Sequence, residues 1–251
     1  MSRSRRRLLA VGLAAVLAGV TAVLVVGRPG GSSVRATAQD VEGSVLLVPG
    51  FGGATGAVEV LAQALRATGR TATVVAVPGD GTGDLAGSVA ALDAAAALAG
   101  PGPVDVVGYS AGGVVARLWA RDDGARARRV VTLGSPHHGT TVAAFGAAFA
   151  PGACSVACRQ LVPGSPLLDA LNEGDETPEG PQWLSLWTTQ DQVVTPPESA
   201  RLEGAVNVVL QDLCPGISVE HGQLPVDPTV TRLVLGALSG PALGPPDPAA
   251  C

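Results

Sequence analysis

Glycines stand two residues to either side of a serine in Gly108-Tyr109-Ser110-Ala111-Gly112, a G-x-S-x-G pentapeptide. In a chain with 34 glycines among 251 residues the pentapeptide is weak alone, and its context decides. Val104-Asp105-Val106-Val107 before it reads as a buried strand, and Val114 to Trp119 after it as a helix. The glycines allow a turn sharp enough to hold the hydroxyl out at the strand's end. The helix start that follows points backbone amides at any developing anion. Ser110 is therefore a candidate nucleophile for acyl transfer. At its ordinary pKa a serine attacks poorly, so it needs a base, and the base needs a third group to hold it.

The chain has three histidines. His137 and His138 follow Leu133-Gly134-Ser135-Pro136 at the end of the next strand, and His221 lies after the last one, in Val219-Glu220-His221-Gly222. A parallel sheet presents its strand C-termini on one edge, so each is within range of Ser110. With the nucleophile on such a turn, the partners follow in chain order as serine, acid, histidine. That order selects His221 and leaves His137 and His138 as structural or pocket-wall residues. The acid belongs at a strand end between serine and histidine. Asp191 occupies that place in Thr189-Gln190-Asp191-Gln192, with Glu198 and then Asp212 as fallbacks. Acyl transfer also needs donors for the tetrahedral oxyanion. The backbone N–H of Ala111 is one, and Phe51, in the loop Pro49-Gly50-Phe51-Gly52-Gly53 after an early strand, supplies the second. The chain has no lysine and no Gly-Lys-Ser signature, which argues against a phosphate-binding loop. Gly79-Asp80-Gly81-Thr82-Gly83-Asp84 fits no EF-hand spacing and reads as a turn plus helix cap, so no metal site is expected.

Short β-branched runs alternating with Ala/Leu-rich stretches must position these residues, the pattern of an α/β fold with a mostly parallel sheet of about six strands and helices on both faces. The strand candidates are Ser44–Val48, Ala72–Val77, Val104–Gly108, Arg129–Leu133, Trp183–Thr188 and Ala205–Leu210. Val58, Leu61, Ala62 and Leu65 recur at helical spacing, with Gly69 as the stop. Asp84 caps a helix running through Leu92 towards Leu98, Ala111 to Arg121 is a third, and Asp227 to Leu238 a last, with Pro228 at its first position. Residues 139–182 break the rhythm and read as a lid-like insertion.

Composition narrows the setting. The apolar 47% is Ala, Val and Leu rather than aromatic. Six of the 16 basic residues precede residue 39, leaving ten arginines against 21 acids in the body. So acidic a body disfavours nucleic acid and anionic lipid as partners. Residues 1–38, basic and then apolar from Leu8 to Val26, read as a signal peptide or N-terminal membrane anchor, with Ala36-Thr37-Ala38 as the cleavage site. Residues 39–251 are then an extracytoplasmic catalytic domain. Four cysteines agree with an oxidising compartment. Cys154 and Cys158 suit a local loop, which leaves Cys214 with Cys251. Zinc is the lesser alternative, having no paired histidine nearby.

Together these motifs resemble the α/β-hydrolase fold, in particular the compact bacterial secreted lipases and esterases. The resemblance runs from Leu47-Val48-Pro49-Gly50-Phe51-Gly52-Gly53 through the serine pentapeptide and Gly134-Ser135-Pro136-His137-His138-Gly139-Thr140 to His221-Gly222. The third stretch is similar to the G-[ST]-P-H-x-G segment of such lipases. The resemblance implies a Ser110–Asp191–His221 triad, Phe51 and Ala111 as oxyanion donors, no cofactor and a lipid or other acyl ester as substrate. Many lipases have His-Gly before the oxyanion residue where this chain has Pro49-Gly50. Tyr109, Phe145 and Phe149 are candidate substrate contacts, and a monomer is expected. The runner-up is a thioesterase, polyester hydrolase or amidase on the same triad, ahead of a catalytically silent surface binding module.

Overall fold

The structure, a computed structural model, describes residues 38–123 and 126–251, so the expected leader lies outside the described residues except for Ala38. The first half of the chain alternates β1 (Ser44–Val48), α1 (Gly56–Ala67), β2 (Ala72–Val74), α2 (Leu85–Leu98), β3 (Val104–Tyr109), α3 (Ala111–Asp123) and β4 (Ala127–Leu133). Next come α4 (Thr141–Phe149), α5 (Val156–Gln160) and α6 (Pro166–Asn172), and then β5 (Gln182–Trp187), β6 (Val206–Val209), α7 (Leu210–Leu213) and α8 (Pro228–Leu238).

The six strands pair in parallel in the order β2-β1-β3-β4-β5-β6. Their near-continuous apolar runs are explained by helices on both faces. Side chains alternate across the sheet. Leu46, Val48, Val106 and Val130 pack with Leu92 of α2 and Val115 and Trp119 of α3. Val45, Leu47, Val107 and Val131 pack with Leu61 and Leu65 of α1 and with Val230 and Val234 of α8. Asp84 and Asp227 cap α2 and α8 by accepting from Ala86 N–H and from Thr229 and Val230 N–H, and Pro228 opens α8.

β2 stops at Val74 rather than Val77. Its neighbour β1 ends at Val48, and the following Pro49 has no N–H with which to continue the ladder. β6 loses both expected ends, because Ala205 N–H turns back to Leu202 O and Leu210 begins α7. The 139–182 insertion holds three short helices, each N-capped by a hydroxyl: Thr140, Ser155 and Ser165.

The strands are in register at their C-terminal ends, with Val48 beside Gly108, Tyr109 beside Leu133 and Leu133 beside Leu186. The loops that follow β1, β3, β4 and β5 therefore leave one edge side by side. The chain winds outward in both directions from β1 and β3, and a crevice at such a switch point is where open α/β sheets bind ligands. The opposite end of the sheet is closed by charge. Buried Asp105 accepts from Arg128 at 2.8 and 2.6 Å and from Arg70 at 2.6 Å. The same arginines, with Arg129, donate to the last carbonyls of α8 and the residues beyond it.

Candidate active site

Ser110 sits between β3 and α3 with φ 54°, the one non-glycine with positive φ among the described residues. Such a backbone costs a non-glycine residue energy and persists where its surroundings enforce it. Here Ser110 N–H donates to Leu133 O at 2.9 Å, as though β3 continued. A Cβ at Gly112 would strike the carbonyl oxygens of Val48 and Pro49, so only glycine lets α3 start under the β1 loop. As the first residue of α3, Ala111 has an N–H without an intrahelical acceptor.

The structure brings Ser110, His221 and Asp191 together. His221 Nε2 lies 3.0 Å from Ser110 Oγ, and His221 Nδ1 lies 2.7 Å from Asp191 Oδ2. All three residues are buried, at 7%, 6% and 5% exposure. The second carboxylate oxygen of Asp191 accepts from the N–H groups of Val193 (2.9 Å) and Val194 (2.7 Å), which fixes its orientation. Glu198 and Asp212, the fallback acids, are exposed on the turn Pro197–Ala200 and on α7, and neither meets His221. His137 is wholly buried with Nε2 3.1 Å from Thr132 Oγ1, and His138 Nε2 pairs with Glu176 at 2.7 Å. Burial, with Arg117 and His138 nearby, holds the His137 ring well below its ordinary 6.5, so it is neutral.

Several positions that the sequence did not single out hold this arrangement. Gly134, at φ 55°, faces the acid–histidine pair: a Cβ there would stand 3.1 Å from Asp191 Oδ2 and 3.2 Å from His221 Nδ1. Its place directly after β4 was the available signal. Thr188, wholly buried at the end of β5, donates to Val219 O at 2.6 Å and accepts from Gln190 N–H at 3.1 Å and Gln211 Nε2 at 2.9 Å. Gln190 Oε1 in turn accepts from Val219 N–H at 3.0 Å. The acid loop and the histidine loop are thus tied together within three residues of either functional group.

Tyr109, expected to touch substrate, packs instead beside the histidine. Its ring centroid is 5.2 Å from that of His221, and its hydroxyl donates to His221 O at 3.3 Å. Burial, and secondarily the charge of Asp191, push its phenol up to about 12. An apolar cavity of about 150 Å³ opens at Ser110, lined by Phe51, Pro136, Thr140, Val142, Ala143, Cys158, Leu161, Val193 and Val194. Phe145 and Phe149 do not line it. They project from the outer side of α4, 65% and 75% exposed, with ring centroids 4.5 Å apart. The helical spacing of α4 turns Ala143 inward and the two rings outward. Phe51 stands at the cavity mouth. The N–H groups of Gly52 and Gly53 donate to Gly81 O and Gly50 O, while that of Phe51 has no backbone acceptor among the described residues. Disulfides join Cys154 to Cys158 and Cys214 to Cys251. No group of three or more His, Cys, Asp or Glu able to hold a metal occurs among the described residues.

Solved structures with this architecture include lipase B of Aspergillus fumigatus, with a TM-score of 0.71 at 20% identity over 84% of this chain and 55% of that one. This chain thus spans about half the length of that enzyme. The mature form of Bacillus licheniformis lipase BlEst2 aligns with a TM-score of 0.65 at 17% identity over 79% of this chain and 93% of that one. This is the α/β-hydrolase fold. The monoacylglycerol lipase of Paleococcus ferrophilus shares it, with a TM-score of 0.54 at 18% identity over 78% and 96% of the two chains. No family model and no curated protein sequence matches the chain. At these identities the likeness establishes the α/β-hydrolase fold, and the chemistry must be argued from the site.

Proposed function

We propose that this α/β-hydrolase is a secreted serine hydrolase of carboxyl esters, a lipase or esterase working through an acyl-enzyme intermediate. The observation that carries the proposal is the continuous contact from Ser110 Oγ through His221 to Asp191, at 3.0 and 2.7 Å. An ionised Asp191 on Nδ1 requires the histidine proton there, which leaves the Nε2 lone pair facing the serine hydroxyl. Ser110 attacks the ester carbonyl while His221 takes its proton. The same proton passes to the leaving alcohol, and the acyl group stays on Ser110. Water, activated by His221, then attacks the acyl-enzyme and frees the acid. The N–H groups of Phe51 and Ala111 supply the oxyanion donors, and the apolar cavity holds the hydrocarbon part of the ester. The matched A. fumigatus, B. licheniformis and P. ferrophilus proteins are named as lipases, which supports the ester substrate. Two disulfides support an oxidising, extracytoplasmic setting for residues 39–251, as does the leader pattern of residues 1–38. Among the described residues no helix is long and apolar enough to cross a membrane.

Hydrolysis of p-nitrophenyl esters from C2 to C16, wild type beside Ser110→Ala, tests the proposal. The variant is expected to fold normally and to lose about 10³-fold or more in kcat/KM. Full activity in Ser110→Ala would sink the mechanism.

A further inference from the structure

The cavity beside Ser110 is graded from mouth to floor. Of its lining, Phe51, Val142 and Val193 are 48%, 50% and 46% exposed and mark the mouth, whereas Ala143, Leu161 and Val194 are 8%, 5% and 1% exposed and mark the floor. Apart from Ser110 and Thr140 the named lining is apolar, and the Thr140 hydroxyl is already committed to Val193 O at 2.7 Å. Among the described residues no charged side chain lines the cavity to recognise a polar acyl tail.

The floor is tied in place. Leu161 O accepts from Thr140 N–H at 3.0 Å, and Leu161 N–H bonds back to Ala157 O at 3.1 Å. Cys158, also in the lining, is joined covalently to Cys154 across the N-terminus of α5, and its sulfur lies where a Cβ on Gly146 of α4 would be 3.6 Å away. α5 is further docked to the loop before α2, where Ala157 N–H donates to Thr82 O at 3.1 Å and Gln160 Oε1 accepts from Leu85 N–H at 3.0 Å. A chain entering from Ser110 thus meets a wall anchored on three sides.

Resting on the esterase reading above, we propose that this floor, formed by Ala143, Leu161 and Val194 with Cys158 beside it, limits the enzyme to unbranched acyl groups of about four to six carbons. The size follows from the volume: an apolar cavity of about 150 Å³ holds a guest the size of benzene, that is, six carbons. Each methylene gained or lost in a well-packed apolar pocket changes kcat/KM by about 10-fold or more. Shorter chains leave part of the cavity unfilled. Longer chains must leave through the mouth and lie in water.

The test is the kcat/KM profile for p-nitrophenyl esters from C2 to C16 in three proteins: wild type, Leu161→Ala and Ala143→Leu. Folding is checked by circular dichroism, and the nucleophile by covalent labelling with a small fluorophosphonate. The wild type is expected to peak at C4–C6 and to fall at least tenfold by C12. Leu161→Ala lowers the floor and should raise the C8-to-C4 ratio about tenfold. Ala143→Leu raises the floor and should lower that ratio by a similar factor, so either variant alone decides if the other fails to fold. A flat or rising wild-type profile to C16, or a peak that neither folded variant moves, overturns the size limit while leaving the esterase reading standing. Absence of both ester turnover and Ser110 labelling in folded wild type removes the esterase reading, and the size limit with it.

Discussion

At the scale of single residues, His137 is informative because it is a histidine that the proposed chemistry does not use. Its Nε2 meets Thr132 Oγ1, whose hydroxyl donates to Ser185 Oγ at 3.0 Å, so Nε2 carries the ring proton and Nδ1 is left buried without a partner among the described residues. Burial, first, and then the charges of Arg117 and His138 keep the ring's folded-state pKa well below 6.5. The unfolded chain therefore takes up a proton below about pH 6.5 that the folded protein refuses. Stability conferred by the neutral ring is complete above pH 6.5 and is lost as pH falls from there towards the folded-state value, at up to about 1.4 kcal/mol per pH unit. Urea unfolding between pH 7.5 and 5 should show this slope, and His137→Gln should reduce it. An unchanged slope in the variant would mean that other groups carry the acid sensitivity.

Among the elements, the junction of β5 with the histidine loop makes the sharpest prediction. Thr188 links the acid loop to Val219, two residues before His221. Thr188→Val keeps the shape but leaves the buried Val219 carbonyl without its donor, a loss of about 1–3 kcal/mol. Because the carbonyl's chain carries His221, part of that loss should appear as a roughly tenfold lower kcat with KM within twofold. Thr188→Ser, which restores the hydroxyl, should recover most of it. A fall in melting temperature with kcat unchanged would make Thr188 structural only. Thr188 was legible in the sequence as a strand end, but its role was not, because nothing in Thr188-Thr189-Gln190 says which carbonyl a hydroxyl will find. The strands and the four long helices were legible because burial on both faces and a 3.6-residue period leave direct traces in residue type. α4 to α6 were not, since α4 is mostly Ala and Phe, α5 and α6 are only five and seven residues long, and the facing of such short helices depends on what they dock against. For the same reason Phe145 and Phe149, plausible as a pocket wall by composition, point to solvent. Ser110 and Asp191 were legible as candidates because they lie just past β3 and β5, whose C-terminal ends the parallel register sets on one edge, whereas His221, beyond α7, was reachable only through the order of the chain.

For the whole molecule, the two apolar layers on either side of the sheet account for most of its cohesion, and the tail past α8 depends on other ties. Residues 239–250 are largely exposed, held by the guanidinium groups of Arg129 and Arg232 and by the Cys214–Cys251 bond. Closing a loop with a sequence separation of 37 stabilises by about 4 kcal/mol on the chain-entropy account, against about 2 kcal/mol for the separation of 4 between Cys154 and Cys158. Thermal or urea unfolding of Cys214→Ser/Cys251→Ser should show a loss of that order, larger than for Cys154→Ser/Cys158→Ser. Equal losses would mean that strain or residual structure outweighs chain entropy. The bond has another effect that stability does not capture. It makes a covalent ring that contains both His221 and α8. A protease cutting the exposed Gly240–Asp247 stretch opens the ring but releases nothing: the short peptide ending in Cys251 stays bound to Cys214, the nicked protein travels as one species without reductant, and it sheds that peptide only when the sulfurs part.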